Sequence, residues 1–263
     1  MTDAAGATTD ERTTVTIAIS VLSERVSMEE DVHCYTGKDI EVSYDSNRCI
    51  HVRECVEGLP GVFDPGRRPW VDADGATADE IAAVVERCPT GALQYDRLDS
   101  GKDEKVPRRN TVTVAADGPL YLRGDVRIRT STDGTLLTDT RIALCRCGHS
   151  ENKPLCDNSH DRVFEAEGVE PDKTIVSDVT PETGTVANET GSENDGEDRS
   201  SGPLTVTLTK DGPFRLSGSF DLRHVDSEQN SESAALCRCG ASEDKPFCDG
   251  THAQVGFSTT ENE

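Results

Sequence analysis

The chain has 263 residues, of which 50 are acidic and 27 basic, for a formal charge of −23. That balance excludes a binder of nucleic-acid phosphates, whose affinity comes from clustered Lys and Arg. Hydrophobic residues make up 33% of the chain and aromatic residues 4%, too little for one large core, so two or three small units with solvated connections are expected.

Residues 1–30 are rich in Thr, Ala, Asp and Glu and remain unassigned, with a candidate strand over 13–21 where Val15, Ile17 and Ile19 alternate with polar or small residues. They carry no basic n-region and no uninterrupted apolar run beyond Thr16 to Leu22, so no secretory signal is expected. Nowhere does the sequence approach the roughly 20 apolar residues that cross a bilayer, and no membrane partner is expected. Ten cysteines in such a chain lack the setting of a disulfide framework; they read first as metal or cluster ligands of a cytoplasmic protein. Of the basic residues 20 are Arg and seven Lys. With the acidic excess, this resembles the solvated surface of a protein from a high-salt cytosol, although acidic linkers also carry part of the charge.

From Cys34 to Tyr95 the pattern is that of one compact unit, placed at residues 31–96. It comprises a strand over 40–44, a turn-rich loop around Pro60 to Pro69, and a helix over 78–87. The helix has a mechanism: Thr77 and Glu80 form a capping-box pattern, and Ile81, Val84 and Val85 an apolar stripe. Residues 97–110 are charged and read as a linker.

An internal repeat fills the second half. Thr111-Val112-Thr113-Val114 runs into Asp117-Gly118-Pro119 and Leu120-Tyr121-Leu122, as Thr205-Val206-Thr207-Leu208 runs into Asp211-Gly212-Pro213 and Phe214-Arg215-Leu216. The copies, placed at 111–164 and 203–260, lie about 92 residues apart, each with alternating strand patterns around a Gly-Pro turn. Between them, residues 165–202 hold eleven acidic and two basic side chains, the composition of a disordered linker.

Within the copies, Cys145, Cys147, Cys156 and His160 are spaced C-x-C-x8-C-x3-H, and Cys237, Cys239, Cys248 and His252 repeat that spacing. Structural zinc held by three Cys and one His, or a buried inert cysteine set, would be the plainer readings. Zinc ligand pairs, however, usually stand two to four residues apart, whereas here one residue separates the first two.

These residues, with Cys-Asp-Asn-Ser-His at 156–160 and Cys-Asp-Gly-Thr-His at 248–252, resemble the CDGSH iron-sulfur family, the mitoNEET-like proteins. The full pattern C-x-C-x2-S-x3-P-x-C-D-x-S/T-H is met twice, with Ser150, Pro154, Ser242 and Pro246 in place. The resemblance implies one [2Fe-2S] cluster per copy, mixed Cys and His ligation being an established mode for such centres. It implies Cys145 and Cys147, then Cys237 and Cys239, on the inner iron, and Cys156 with His160, then Cys248 with His252, on the outer one. Asn158 stands where the motif has Gly; Asn is tolerant of a left-handed backbone, so the turn can survive. A neutral imidazole ligand raises the reduction potential and can take up a proton, coupling reduction to protonation and letting acid loosen the cluster. Asp157 and Asp249 either orient the site or form the turn, and are read as turn or cap formers.

The N-terminal unit carries a second constellation, Cys49-Ile50-His51-Val52-Arg53-Glu54-Cys55 followed by Cys88-Pro89-Thr90-Gly91-Ala92-Leu93. Ferredoxin loops place cysteines at C-x2-C-x2-C with a distant Cys-Pro; here Val52 occupies the middle position. With Cys34-Tyr35-Thr36-Gly37, Leu59-Pro60, Val62-Phe63-Asp64 and Arg68-Pro69-Trp70, the stretch resembles small divergent single-cluster ferredoxin domains. Cys49, Cys55 and Cys88 alone suit [3Fe-4S], and Cys34 would complete [4Fe-4S]. Four cysteines here and three in each copy account for all ten. His51 and His33 occupy positions where a histidine is ordinarily solvated or hydrogen bonded. Phe63 and Trp70 are expected to shield the cluster from water.

No dinucleotide loop, phosphate loop or nucleophile elbow is found, so an enzyme is not expected. The resemblances imply an α+β ferredoxin-like unit followed by two small β-rich modules, which pair within the chain as a pseudo-dimer and leave it monomeric. They imply two [2Fe-2S] clusters and one [4Fe-4S] or [3Fe-4S] cluster serving electron transfer, with a reductase or acceptor protein as partner. Cluster transfer to apo iron-sulfur proteins, redox or pH sensing, and an electron-supplying subunit of an oxidoreductase are the alternatives.

Overall fold

A computed structural model describes residues 31–132, 134–170, 202–225 and 227–259. The candidate strand over 13–21 and most of the acidic connection lie outside the described residues.

The N-terminal unit is built on a three-stranded antiparallel sheet, β1 (Val32–Thr36), β2 (Ile40–Asp45) and β3 (Leu93–Arg97), in that order. Ile40 and Val42 alternate inward from the central strand, which is why the period-two pattern is legible there. Two helices cover it, α1 (Glu54–Gly58) and α2 (Ala78–Val85). The second begins as its sequence dictates: the Glu80 N–H donates to the Thr77 hydroxyl and the Glu80 carboxylate accepts from the Thr77 N–H. Its end comes two residues earlier than the pattern predicts, because the chain tightens into i→i+3 bonds from Arg87 N–H to Val84 and from Cys88 N–H to Val85. Ile81 and Val85 pack with Val62, Phe63 and Val71 into one core. Only part of this unit is helical, and the chain as a whole is β-rich.

The repeats supply β4 (Asn110–Val114), β5 (Leu120–Thr130) and β6 (Thr135–Leu144), then β7 (Leu204–Leu208), β8 (Phe214–His224) and β9 (Ser227–Leu236). All six form one sheet. Each copy makes antiparallel hairpins of its own, but β4 also runs parallel to β8, and β5 parallel to β7. These two crossings are one contact with the copies exchanged: Thr111 faces Asp221, and Thr205 faces Arg127. A register shift between Arg123 and Val126, and its counterpart between Ser217 and Phe220, lets each long strand change partner halfway. The pairings thereby close into a ring, whose interior takes Val112, Leu122, Ile128, Val206, Leu216 and Leu222 from both copies into one hydrophobic core.

Residues 165–170, placed in the connection on composition, are tied to the first repeat instead. The Val169 N–H donates to Val114 O at 2.7 Å, and the Ala116 N–H to Val169 O at 2.9 Å. Among the described residues no helix is long and apolar enough to cross a membrane.

Candidate metal centres

At the end of β6 the chain enters a loop that folds back on the strand. Cys145 N–H donates to Pro154 O, and Cys156 N–H to Ala143 O at 3.0 Å. The loop is held from inside by Ser150, whose hydroxyl donates to Leu155 O at 2.7 Å and accepts from Asn152 N–H. Asp157 accepts from the N–H groups of Glu151 and Ser159. Burial works against its charge, but these bonds outweigh burial and keep the carboxyl below its ordinary range. It is a turn former, and so is Asp249, which accepts from Glu243 and Thr251. Asn158 adopts the left-handed conformation, φ 69°, where the second copy has Gly250 at φ 90°, so the substitution leaves the turn in place.

The loop brings its donors together in pairs. Cys145 Sγ lies 3.5 Å from Cys147 Sγ, and Cys156 Sγ lies 3.3 Å from His160 Nδ1. In the second copy the distances are 3.8 Å for Cys237 and Cys239, and 3.3 Å for Cys248 and His252. Every described cysteine is a free thiol. Among the described residues no three such donors converge on one point. A two-cysteine pair and a cysteine–histidine pair in each loop form a donor set suited to iron-sulfur binding. The Cys147 thiol and the N–H groups of Ser150, Gly148 and Cys147 bring Cys145 down to about 6, against burial, and Cys147 is pushed up in turn by the same contact. Burial pushes Cys156 up to about 12. Backbone N–H groups of His149 and Ala241 point at Cys147 and Cys239, the kind of donor that stabilises a metal-bound thiolate.

The two sites meet back to back. A Cβ on Gly148 would lie 2.5 Å from the carbonyl oxygen of Cys239, and Gly240 is equally tight against the carbonyl of Cys147. Only glycine permits this approach, and both are at positive φ. Arg146 and Arg238, the residues inside each C-x-C, have a role that spacing alone does not reveal. Both are buried to 2% exposure. Arg146 donates to the carbonyls of Gly118 and Ala115 and stacks over Phe164, while Arg238 lies over Phe214 and Phe257. Burial lowers Arg146 to about 10, leaving it a cation at neutral pH beside the cysteines. The identity of this residue in both copies was the available signal.

In the N-terminal unit Cys49 follows a 3₁₀ turn at Ser46–Arg48, Cys55 lies in α1 and Cys88 just beyond α2. The three line one pocket, with Tyr44 and Trp70 in its wall. Burial, then the neighbouring Cys88 and Cys49, push Cys55 up to about 11. Burial and Cys49 raise Tyr44. Cys34, read from the sequence as the fourth ligand, is not brought there. It sits exposed on β1 opposite Ser43 and lines a different depression. Its neighbour Tyr35 turns toward the core and the Trp70 ring, and successive strand residues face opposite ways. His33 is likewise exposed on the same edge strand. His51 does line the pocket, with Nδ1 3.7 Å from Cys49 Sγ.

The pocket docks on the first repeated site. Asn158 Nδ2 donates to Ile50 O and Asn152 Nδ2 to Asn47 O, both at 2.7 Å. Ile50 packs on Cys156, Ala143 and Tyr121. Arg48 forms a buried ion pair with Asp139 at 2.7 Å and donates to Arg141 O and Thr90 O. Arg141, 1% exposed, crosses to the carbonyls of Val85, Cys88 and Leu93 and pairs with Glu104. Residue 104 was expected in a solvated linker; that pairing anchors it.

A family model described as divergent 4Fe-4S mono-cluster matches residues 35–98, and one described as iron-binding zinc finger CDGSH type matches 117–161 and again 211–253. The uncharacterized protein YjdI of Escherichia coli K12 is 32% identical over 72 residues, 27% of this chain and 95% of the relative; the same protein of strain O157:H7 matches equally. The chain belongs to the divergent 4Fe-4S mono-cluster family and carries two CDGSH iron-binding motifs. It is thus an iron-sulfur protein with the tandem architecture its motifs imply. No solved structure matches it.

Proposed function

We propose that this iron-sulfur protein is an electron carrier. In this reading Cys145, Cys147, Cys156 and His160 hold one [2Fe-2S] centre, Cys237, Cys239, Cys248 and His252 a second, and Cys49, Cys55 and Cys88 bind a four-iron centre in the N-terminal pocket. A bound cluster supplies reversible one-electron chemistry. The residues around it do the rest. Arg146 and Arg238 place positive charge beside the thiolates, Trp70 and Tyr44 exclude water, and Ser150 and Ser242 fix the loops. The two copies act as an internal pseudo-dimer, a reading supported by the exchanged pairings of β4 with β8 and β5 with β7.

The observation that carries the route is the contact of Ile50 with Cys156, with Cys49 next to Ile50 in sequence. It joins the N-terminal pocket to the first repeated site through one side chain. At the second site Asp244 and Gly250 stand where Asn152 and Asn158 make their bonds, so those two hydrogen bonds have no counterpart there among the described residues. We assign it to exchange with a separate reductase or acceptor protein. The test is stopped-flow reduction of the full chain by dithionite. The N-terminal centre and the Cys156 site should come to redox equilibrium together, with the Cys248 site on a separate phase; three unrelated rates would contradict the route.

A second reading, donation of a cluster to an apo-protein, is favoured at the Cys248 site alone. Cys239 and Cys248 are half-buried there, whereas Cys147 and Cys156 are buried. Loss of cluster donation to apo-ferredoxin in His252→Cys, with electron exchange unchanged, would select this reading.

A further inference from the structure

With Cys34 on the opposite face of β1, three thiolates line the N-terminal pocket, and a four-iron centre there has one iron without a cysteine. We propose that the imidazole of His51 is the fourth protein ligand of that centre. The assignment rests on the reading that the pocket holds a cluster.

Placement supports it first: the ring nitrogen Nδ1 is 3.7 Å from Cys49 Sγ, on an exposed side chain that lines the same pocket. The two repeated sites bring a cysteine and an imidazole together in the same way, at 3.3 Å. Backbone conformation is the second line. His51 has φ 56° and Arg53 φ 71°. Neither is glycine or asparagine, and the left-handed conformation is unfavourable for such residues. Two such residues in the five-residue span between Cys49 and Cys55 shape the loop so that His51 lines the pocket next to Val52, which stands at the usual middle-cysteine position. The third line is the engagement of the other candidate donors. The Glu54 carboxylate is held by Arg87 at 2.5 Å. The Thr90 hydroxyl accepts the N–H of Ala92 at 3.2 Å. An imidazole nitrogen is a good iron ligand in iron-sulfur centres, where it raises the potential relative to thiolate.

The experiment uses the full chain with His160→Cys and His252→Cys, so that neither repeated site keeps a histidine at its ligand position. Pulsed paramagnetic resonance of the reduced N-terminal centre should show a strong nitrogen coupling that changes when histidine is labelled with nitrogen-15. Adding His51→Cys should abolish the coupling and keep about eight irons per chain, and His51→Ala should lower the count to about seven. An intact N-terminal centre without a histidine-nitrogen coupling overturns the assignment, and so does loss of the fourth iron in Cys34→Ser with retention in His51→Ala. Absence of any N-terminal centre would instead overturn the proposed function, and the ligand assignment with it.

Discussion

The side-chain amide of Asn158 donates to the carbonyl oxygen of Ile50 across 2.7 Å, joining two cysteine loops 108 residues apart in the chain. Asn158 is also the residue that departs from the CDGSH motif. The departure therefore has a structural role: the left-handed turn that glycine would satisfy is kept, and a donor to the neighbouring loop is added.

Asn158→Gly should leave the iron content unchanged, because glycine adopts φ 69° freely. It removes one interface hydrogen bond, worth about 1 kcal/mol or roughly fivefold in the opening equilibrium. Amide hydrogen exchange over residues 49–55 should accelerate by about that factor. Gly250→Asn in the second copy should leave that segment unaffected.

Arg141→Ala strands the Glu104 carboxylate and the carbonyls of Val85, Cys88 and Leu93. Removing one partner of a buried ion pair costs about 3–5 kcal/mol. The urea midpoint should fall accordingly, and the N-terminal centre should be lost first, since the carbonyl of Cys88 is among the acceptors.

Gly148→Ala should damage both repeated sites at once. Its new methyl group would strike the Cys239 carbonyl, a residue of the other copy. Iron per chain should fall by more than the roughly two atoms of a single [2Fe-2S] centre; loss confined to one site would contradict the reciprocal contact.

The Thr77–Glu80 capping box gives a pH dependence. The Thr77 hydroxyl and then its N–H lower the Glu80 carboxyl from its ordinary value of 4.5. A carboxyl depressed in the folded state stabilises it above the unfolded value and loses that contribution as pH falls through the folded one. The stability gap between the native chain and Glu80→Ala, measured by urea unfolding, should therefore narrow below about pH 4.5. A gap that stays constant to lower pH would contradict the bond.

Local signals carried much of this architecture. Thr77 and Glu80 gave the helix start because a cap acts within one turn, and the alternation of Ile40 and Val42 gave the central strand. The repeated spacing from Cys145 to His160 marked its donors because one short loop supplies all four. What escaped the sequence is non-local. The parallel pairing of Thr111 with Asp221 depends on a bulge that redirects a strand halfway along. Arg141 reads as a polar strand residue until the N-terminal unit is placed against it. Cys34 satisfied the cysteine count, but strand alternation, set by the burial of Tyr35, turns it away from the pocket.

The central claim is tested most directly by iron, acid-labile sulfide and zinc per chain on anaerobically purified protein, with visible and paramagnetic resonance spectra of the same sample. The account predicts about eight irons and eight sulfides, from two [2Fe-2S] centres and one [4Fe-4S] centre, with negligible zinc. About two zinc atoms with little sulfide would contradict it and make the repeated modules structural.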